Sequence, residues 1–435
     1  MREMKDSGIP WIGKIPQNWK LKKGKYLFTQ RNTRGNRRNL HLLSPTQQYG
    51  VISQKEYEKL TGMKAVKLKE DTDLSQLKTI HAGDYCISLR SFQGGFEYCK
   101  TEGVVSPAYQ VFYAIVPSAD IYYKYLFKDE VFISKMNSFT MSLRDGKNII
   151  FSDFGNTLIP YPPLTEQQAI ADYLDAKCAD IDGITRDIEE QIETLKEYKK
   201  SVITHAVTKG LDPHAEMKDS GIEWIGNIPK GWKTIKIKYL PNKEENSYVD
   251  GDWIESPVIT DEGIKYYTTG NIGDGYFKVQ GNGHISDETF TALHCKFAYA
   301  GDLIFSRLNA PYGRSCILPQ FIDKCVLAVD NVILRTDENK RYICYVTQCT
   351  GYQKNVEDQA SGTTMKRISR TKLGSIKIPL PPCIEQQAIA DYLDAKCADI
   401  DGAISEKQEQ LETLKEYKKS LIYEYVTGKK EVPHE

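Results

Sequence analysis

EQQAIADYLDAKCADIDG occupies residues 166–183, and the same string returns letter for letter at 385–402. ETLKEYKKS follows in register at 193–201 and 412–420, again 219 residues apart. No Pro interrupts either copy, and Gly183 and Gly402 are the sole glycines. The pattern therefore predicts one long helix per copy, roughly 40 residues or about 60 Å. A period near 219 far exceeds the roughly 20–50 residues of a solenoid unit, so it marks a duplicated domain-plus-helix unit.

In the first helix Leu174, Ile181, Ile188, Leu195 and Val202 recur every seven positions. Cys178, Ile184, Ile192 and Tyr198 flank that series, and polar Thr185 interrupts the flank. The second helix repeats it with Leu393, Ile400, Leu414 and Leu421; Lys407 breaks the seam, and Ile404 and Leu411 compensate. A period of 3.5 sustained over about five heptads predicts a coiled coil. The two copies can pair antiparallel within one chain, with globular domains at opposite ends. A homodimeric coiled coil is the competing arrangement, and the pattern does not decide between them. Pro162-Pro163 and Pro381-Pro382 stop the strand that precedes each helix. Thr165 suits an N-cap with Gln168 completing a capping box, a device that Ile384 denies the second copy.

A second twin opens each half: MKDSGIPWIGKIPQNWK (4–20) returns as MKDSGIEWIGNIPKGWK (217–233), an offset of 213. Its Gly/Pro punctuation excludes a helix and predicts an extended segment pinned by Trp11 and Trp19. The rest of each half reads as mixed α and β. The Gly83-Asp84 turn leads into a strand at Tyr85–Leu89. Residues 108–116 form a second strand, and 121–136 have helical spacing. In the second half 297–308 carries the same Gly-Asp turn and strand, and 325–335 reads as a single later strand. Between these landmarks the halves diverge. The expected fold class is α+β: two globular mixed α/β domains separated by two long antiparallel coiled-coil helices, an internal duplication with pseudo-twofold symmetry. Boundaries fall at 1–160, 161–216, 217–379 and 380–435.

Formal net charge is zero over 435 residues, which argues against attraction of the whole molecule to nucleic acid but leaves local patches open. Residues 1–38 hold eleven Lys/Arg against Glu3 and Asp6, whereas 166–190 hold eight acids. Ten scattered cysteines include no CxxC pair, and Cys344 and Cys349 have the wrong spacing for a zinc ribbon. The N-terminus lacks the apolar core of a signal peptide and no 18-residue apolar run exists, so a cytoplasmic protein with reduced thiols is expected.

Catalytic motifs are missing. Pro160-Tyr161-Pro162-Pro163 and Leu380-Pro381-Pro382-Cys383 lack the Asn or Asp that an amino-methyltransferase needs to accept from its target amine. Neither P-loop, HExxH nor GxSxG occurs, and the seven histidines are dispersed. No catalytic residue and no metal site are expected. What remains is basic and amide-bearing side chains in turn-rich segments. The first half offers Arg31, Arg34, Arg37 and Arg38; Gln47 and Gln48; Arg90, Ser91 and Gln93; and Arg144 and Lys147. The second offers Tyr267, Thr268, Thr269 and Asn271; Arg307, Asn309, Tyr312 and Arg314; and Lys366 and Arg367. These form the candidate DNA-binding set. Helix packing is assigned to Leu174, Ile181, Ile188, Leu195, Val202, Leu393, Ile400, Leu411, Leu414 and Leu421.

The MKDSGIxWIGxIPxxWK opener and the IPxPPxxEQQAIADYLD helix start together resemble the specificity subunit of type I restriction–modification systems, over the whole chain. The resemblance implies two target-recognition domains, each reading one half of a split DNA site in the major groove, with the repeated helices as a spacer. It implies double-stranded DNA, two adenine-N6 methyltransferase subunits and, in the full complex, restriction subunits as partners. S-adenosylmethionine belongs on the methyltransferase, leaving no cofactor here. Lys407 and the polar EKQEQ (406–410) are read as an outward face for those partner subunits. The alternatives are the specificity subunit of a related methyltransferase–nuclease system, a subunit with its own catalysis, and a coiled-coil scaffold that binds protein alone.

Overall fold

The computed structural model describes residues 2–35, 40–47, 49–63, 74–87, 95–116, 119–139, 149–362 and 365–433. The chain divides into two compact units, Met1–Ile188 with Gln408–Glu435, and Glu189–Lys407. Each unit takes part of each long helix.

Both units are built on a four-stranded antiparallel sheet of the same order. In the first it runs Phe28–Arg31, Gln110–Ala114, Tyr85–Ile87, Phe96–Tyr98. In the second it runs Tyr248–Asp250, Asn331–Leu334, Leu303–Ser306, Ser315–Ile317. The first core is aromatic. Phe28 lies 5.1–5.9 Å from the rings of Tyr85, Phe112, Tyr123, Phe127 and Phe154, in edge-on or tilted contacts that suit ring quadrupoles. The stretch 121–136 is two helices, Ala119–Leu126 and Glu130–Asn137. Asp129 divides them, because its carboxylate accepts from the N–H groups of Val131 (3.0 Å) and Phe132 (3.1 Å) and starts a new helix.

The second unit adds a sheet ordered His284–Ile285, Ile264–Tyr267, Lys324–Leu327, Ala298–Tyr299. The apolar run 325–335 is therefore two strands. Lys324–Leu327 pairs parallel with Ile264–Tyr267, while Asn331–Leu334 joins the main sheet. Both are buried throughout or nearly so, and only Asp330 and Asn331 mark the turn between them in the sequence.

The openers fold alike. Met4–Asp6 pairs with Lys14–Pro16, and Met217–Asp219 with Asn227–Pro229. Trp19 and Trp232 are fully buried, whereas Trp11 is half-buried. The next strands, Lys20–Lys23 and Lys233–Lys236, pair with the Pro-ended strands Leu158–Tyr161 and Lys377–Leu380.

The long helices span Leu164–Lys209 (46 residues) and Cys383–Val426 (44 residues), longer than expected. They begin at equivalent positions, so Thr165 lies inside the first turn and the expected capping difference between the copies is not found. A buried glutamine ties each start to the strand before it. Gln167 Nε2 donates to the Pro162 carbonyl at 2.8 Å, and Gln386 Nε2 to that of Pro381 at 2.9 Å. Within each unit the two half-helices run antiparallel. In the first unit Lys418 meets Asp182 at 2.5 Å and the Tyr173 and Tyr425 rings lie 4.7 Å apart. In the second Lys199 holds both oxygens of Asp401 at 2.7 and 2.6 Å. These are one contact with the copies exchanged, since Lys199 corresponds to Lys418 and Asp182 to Asp401. Leu174, Ile181, Ile188, Leu393, Ile400, Leu411 and Leu421 are buried, and Leu195, Val202 and Leu414 half-buried. Lys407 is half-buried and its ammonium reaches Gln191 Oε1 of the other helix at 2.5 Å, while Glu406, Gln408, Glu409 and Gln410 are exposed.

Candidate nucleic-acid interface

The Gly-Asp turn that starts the second main-sheet hairpin is an anchor in both units. Asp84 accepts from the His81 N–H at 2.9 Å and takes the Arg31 guanidinium bidentately at 2.7 and 3.0 Å. Asp302 accepts from the Tyr299 N–H at 3.0 Å and takes Arg335 at 3.2 Å. Both carboxylates are buried, where an unpaired charge would be costly. The arginine comes from the edge strand in one unit and from the end of the central strand in the other. Arg31, singled out as a DNA contact, thus holds a turn in place and also stacks 4.3 Å from the Tyr113 ring.

In the second unit the residues singled out by sequence are brought together. Arg314 is 8 % exposed and threads its guanidinium among the carbonyls of Ile272 (2.6 Å), Asn309 (2.7 Å), Thr269 (3.0 Å), Leu308 and Pro311. It welds the 269–272 turn to the 306–314 loop, and burial pulls its pKa down from the usual arginine range. Arg307 is as buried, pairs with Asp250 (3.2 Å) and Asp330 (3.3 Å), and donates to the Val329 and Ile368 carbonyls. Backbone bridges from Arg367 to Leu308 and to Ser361 add those residues to the cluster.

These buried arginines position the loops; the groups left facing outward are others. Asn309, at φ 62°, and Lys366 are exposed, and the Arg367 side chain is 60 % exposed. Thr268 is exposed and caps the Thr269–Asn271 turn. Asn271 is buried, holding that turn through its Oδ1 and donating to the Lys278 and Gln280 carbonyls. Tyr267 and Tyr312 are core residues.

In the first unit Arg34 is exposed, with Nη1 2.9 Å from Gln76 Oε1, and the Gln47 carbonyl accepts from Lys128. Lys128 also reaches Glu97 at 2.5 Å, whose buried carboxyl is pushed above the ordinary carboxylate range. Arg37, Arg38, Gln48, Arg90, Ser91, Gln93, Arg144 and Lys147 lie outside the described residues.

Two loops on a buried arginine scaffold, repeated frames and unlike inserts form a recognition architecture. The family model of the type I restriction modification DNA specificity domain matches twice, over residues 13–194 and 229–413. The chain belongs to that family. It is 28 % identical over 302 residues to the type I restriction enzyme MjaVIII specificity subunit of Methanocaldococcus jannaschii, covering 67 % of each chain. It is 31 % identical to the putative MjaX specificity subunit of the same organism, covering 62 % of this chain and 59 % of that one. Among solved structures, a chain from work on assembly and conformational transition of the type I R-M system shares the fold with a TM-score of 0.69 at 18 % identity, covering 95 % of this chain and 98 % of that one. The HsdS subunit from Thermoanaerobacter tengcongensis gives 0.53 at 17 % identity with the same coverage.

Each specificity domain grips its helices through residues that sequence reading passed over. Tyr125 donates to Asp175 at 2.5 Å beside Lys124, and Tyr345 donates to the equivalent Asp394 at 2.7 Å beside Arg341. Burial, then these hydrogen bonds, raise both phenol pKa values. Tyr122 and Tyr123 donate to the Val426 and Pro160 carbonyls in the first specificity domain. In the second, the single hydroxyl of Tyr342 faces both equivalents, Val207 and Pro379. The available signal was the repeated YxxY spacing of 122–125 and 342–345. Among the described residues no helix is long and apolar enough to cross a membrane.

Proposed function

We propose that this chain is the DNA-reading subunit of a type I restriction–modification complex, each specificity domain reading one half of a split site. The observation that carries this is the pairing of matched frames with unmatched inserts: the sheet order and helix contacts repeat, while the second domain's sheet of His284–Ile285, Ile264–Tyr267, Lys324–Leu327 and Ala298–Tyr299 and its arginine-held 269–272 turn have no match among the described residues of the first. Loops that face different base sequences need different side chains, whereas frames that set their spacing do not. The chain itself performs no bond-making step. Two adenine-N6 methyltransferase subunits, which carry S-adenosylmethionine, dock beside it in the cytoplasm, with restriction subunits in the full complex. Base flipping, at a few kcal/mol, is offset in the methyltransferase pocket.

Single-molecule sequencing of adenine methylation, with and without this gene, tests the reading. Loss of one split motif, methylated on opposite strands in its two halves, is the expected result. An unchanged methylome, in a cell where the chain co-purifies with an active methyltransferase, overturns it.

A further inference from the structure

After each buried opener tryptophan the two halves read KLKKGKYL (20–27) and KTIKIKYL (233–240). Three of the eight positions differ, and all three are buried or half-buried: Leu21 against Thr234, Lys22 against Ile235, Gly24 against Ile237. At the third position each residue fits its own core. A Cβ on Gly24 would stand 2.7 Å from the Phe154 carbonyl oxygen, whereas Ile237 fills its site at 0 % exposure. The positions that agree include the outward ones. Lys25 and Lys238 are exposed, and Tyr26 and Tyr239 are 62 % and 64 % exposed, each tyrosine beside its lysine on a short 3-10 turn. Lys23 and Lys236, at the end of the preceding strand, agree as well.

The buried Leu27 and Leu240 are kept as well, but the outward positions are kept where three inward ones are not, although surfaces ordinarily drift. Core packing does not account for it, since Lys23, Lys25, Tyr26, Lys238 and Tyr239 are exposed and Lys236 is half-buried. None of the six lies in an ion pair with an acid among the described residues, so they are not intramolecular partners either. A surface kept alike in two domains that read different bases faces a ligand feature that is the same in both half-sites. In duplex DNA that feature is the phosphate backbone. Exposed lysines suit it: they are point charges for phosphates, tyrosine hydroxyls contact phosphates too, and lysine is depleted from protein–protein interfaces.

We propose that Lys23, Lys25 and Tyr26, and their twins Lys236, Lys238 and Tyr239, form one sequence-independent phosphate clamp on each specificity domain. The clamp rests on the DNA-reading role proposed above and adds the residues that bind without reading.

The test uses the chain co-purified with its methyltransferase and a 30-base-pair duplex of arbitrary sequence, titrated across KCl concentrations. K23Q/K25Q/K236Q/K238Q is expected to weaken binding about equally for every duplex and to flatten the log–log salt dependence by about 3–4, at ~0.9 per phosphate contact. The Lys→Arg counterpart restores both. Unchanged affinity and slope in the Gln variant overturn the clamp. So does loss of the methyltransferase from the purified complex with DNA affinity retained, which makes the surface a protein-docking site. A wild-type complex with no preference for a split motif sinks the reading role alone, because the salt slope on arbitrary DNA still answers for the clamp.

Discussion

The two specificity domains share a skeleton and differ in what they hang on it. Each has the same main-sheet order, the same Gly-Asp anchor and the same tyrosine grip on a carboxylate of the repeated helix. Beyond that, the first carries small two-stranded sheets, Leu43–Thr46 with Gly50–Ser53 and Lys78–Ile80 with Gly103–Val105. The second builds a four-stranded sheet and the arginine-welded loops. The contrast teaches that contact with the helix pair constrains a domain, while the edges away from it are free to change.

The largest way to break the comparison is at the Gly-Asp anchor. Asp302→Ala leaves Arg335, whose side chain is 11 % exposed, without its counter-charge and with the Glu245 and Phe297 carbonyls and the Tyr299 ring, and is expected to cost about 3 kcal/mol in denaturant unfolding. Asp84→Ala should cost less, because Arg31 is 22 % exposed and more of its charge reaches solvent. Equal losses would mean that the two anchors do not differ as their surroundings suggest.

The tyrosine grip comes next. In the second domain one hydroxyl proton serves two carbonyls at 3.2 and 3.1 Å; in the first, two hydroxyls serve one each at 2.5 and 2.8 Å. Tyr342→Phe should therefore cost about 1 kcal/mol, and the Tyr122→Phe/Tyr123→Phe pair about twice that. Chemical denaturation of the three proteins measures the ratio.

Asp274 sharpens the comparison through pH, since it belongs to the second domain's insert. Burial raises its carboxyl above the ordinary value; Gln353 binds Oδ2 at 2.9 Å, and the buried Oδ1 has no hydrogen-bond partner. A raised value means that the stability contribution is present below the unfolded-state pKa of about 3.9 and is lost as pH climbs past the folded one. Asp274→Asn should match the wild type in Tm near the acid end and exceed it at pH 7. A gap independent of pH would assign the effect to packing.

The smallest effect tests the helices. Lys199→Met and Lys418→Met each remove the same cross-helix pair with the copies exchanged, and each should cost no more than about 0.5 kcal/mol, by the same amount. Double-mutant cycles with Asp401 and Asp182 would reveal any inequality.

The letter-identical helices, the two openers and the Pro-ended strands were legible because each rests on local chemistry: heptad spacing, turn residues, proline's missing N–H. By itself the sequence determined that there are two like halves, where their helices run, and which loops hold polar side chains. Only the tertiary structure decided what those side chains do. Arg31, Arg307 and Arg314 look like DNA-reading residues in a loop, yet buried carboxylates and carbonyls from distant segments claim them. Lys407 looks like a break in a seam, yet Gln191 of the other helix meets it. The reason is that a charged side chain's role is set by what surrounds it at 3 Å, and that neighbour lies 216 residues away in the chain for Lys407 and 236 for Lys418.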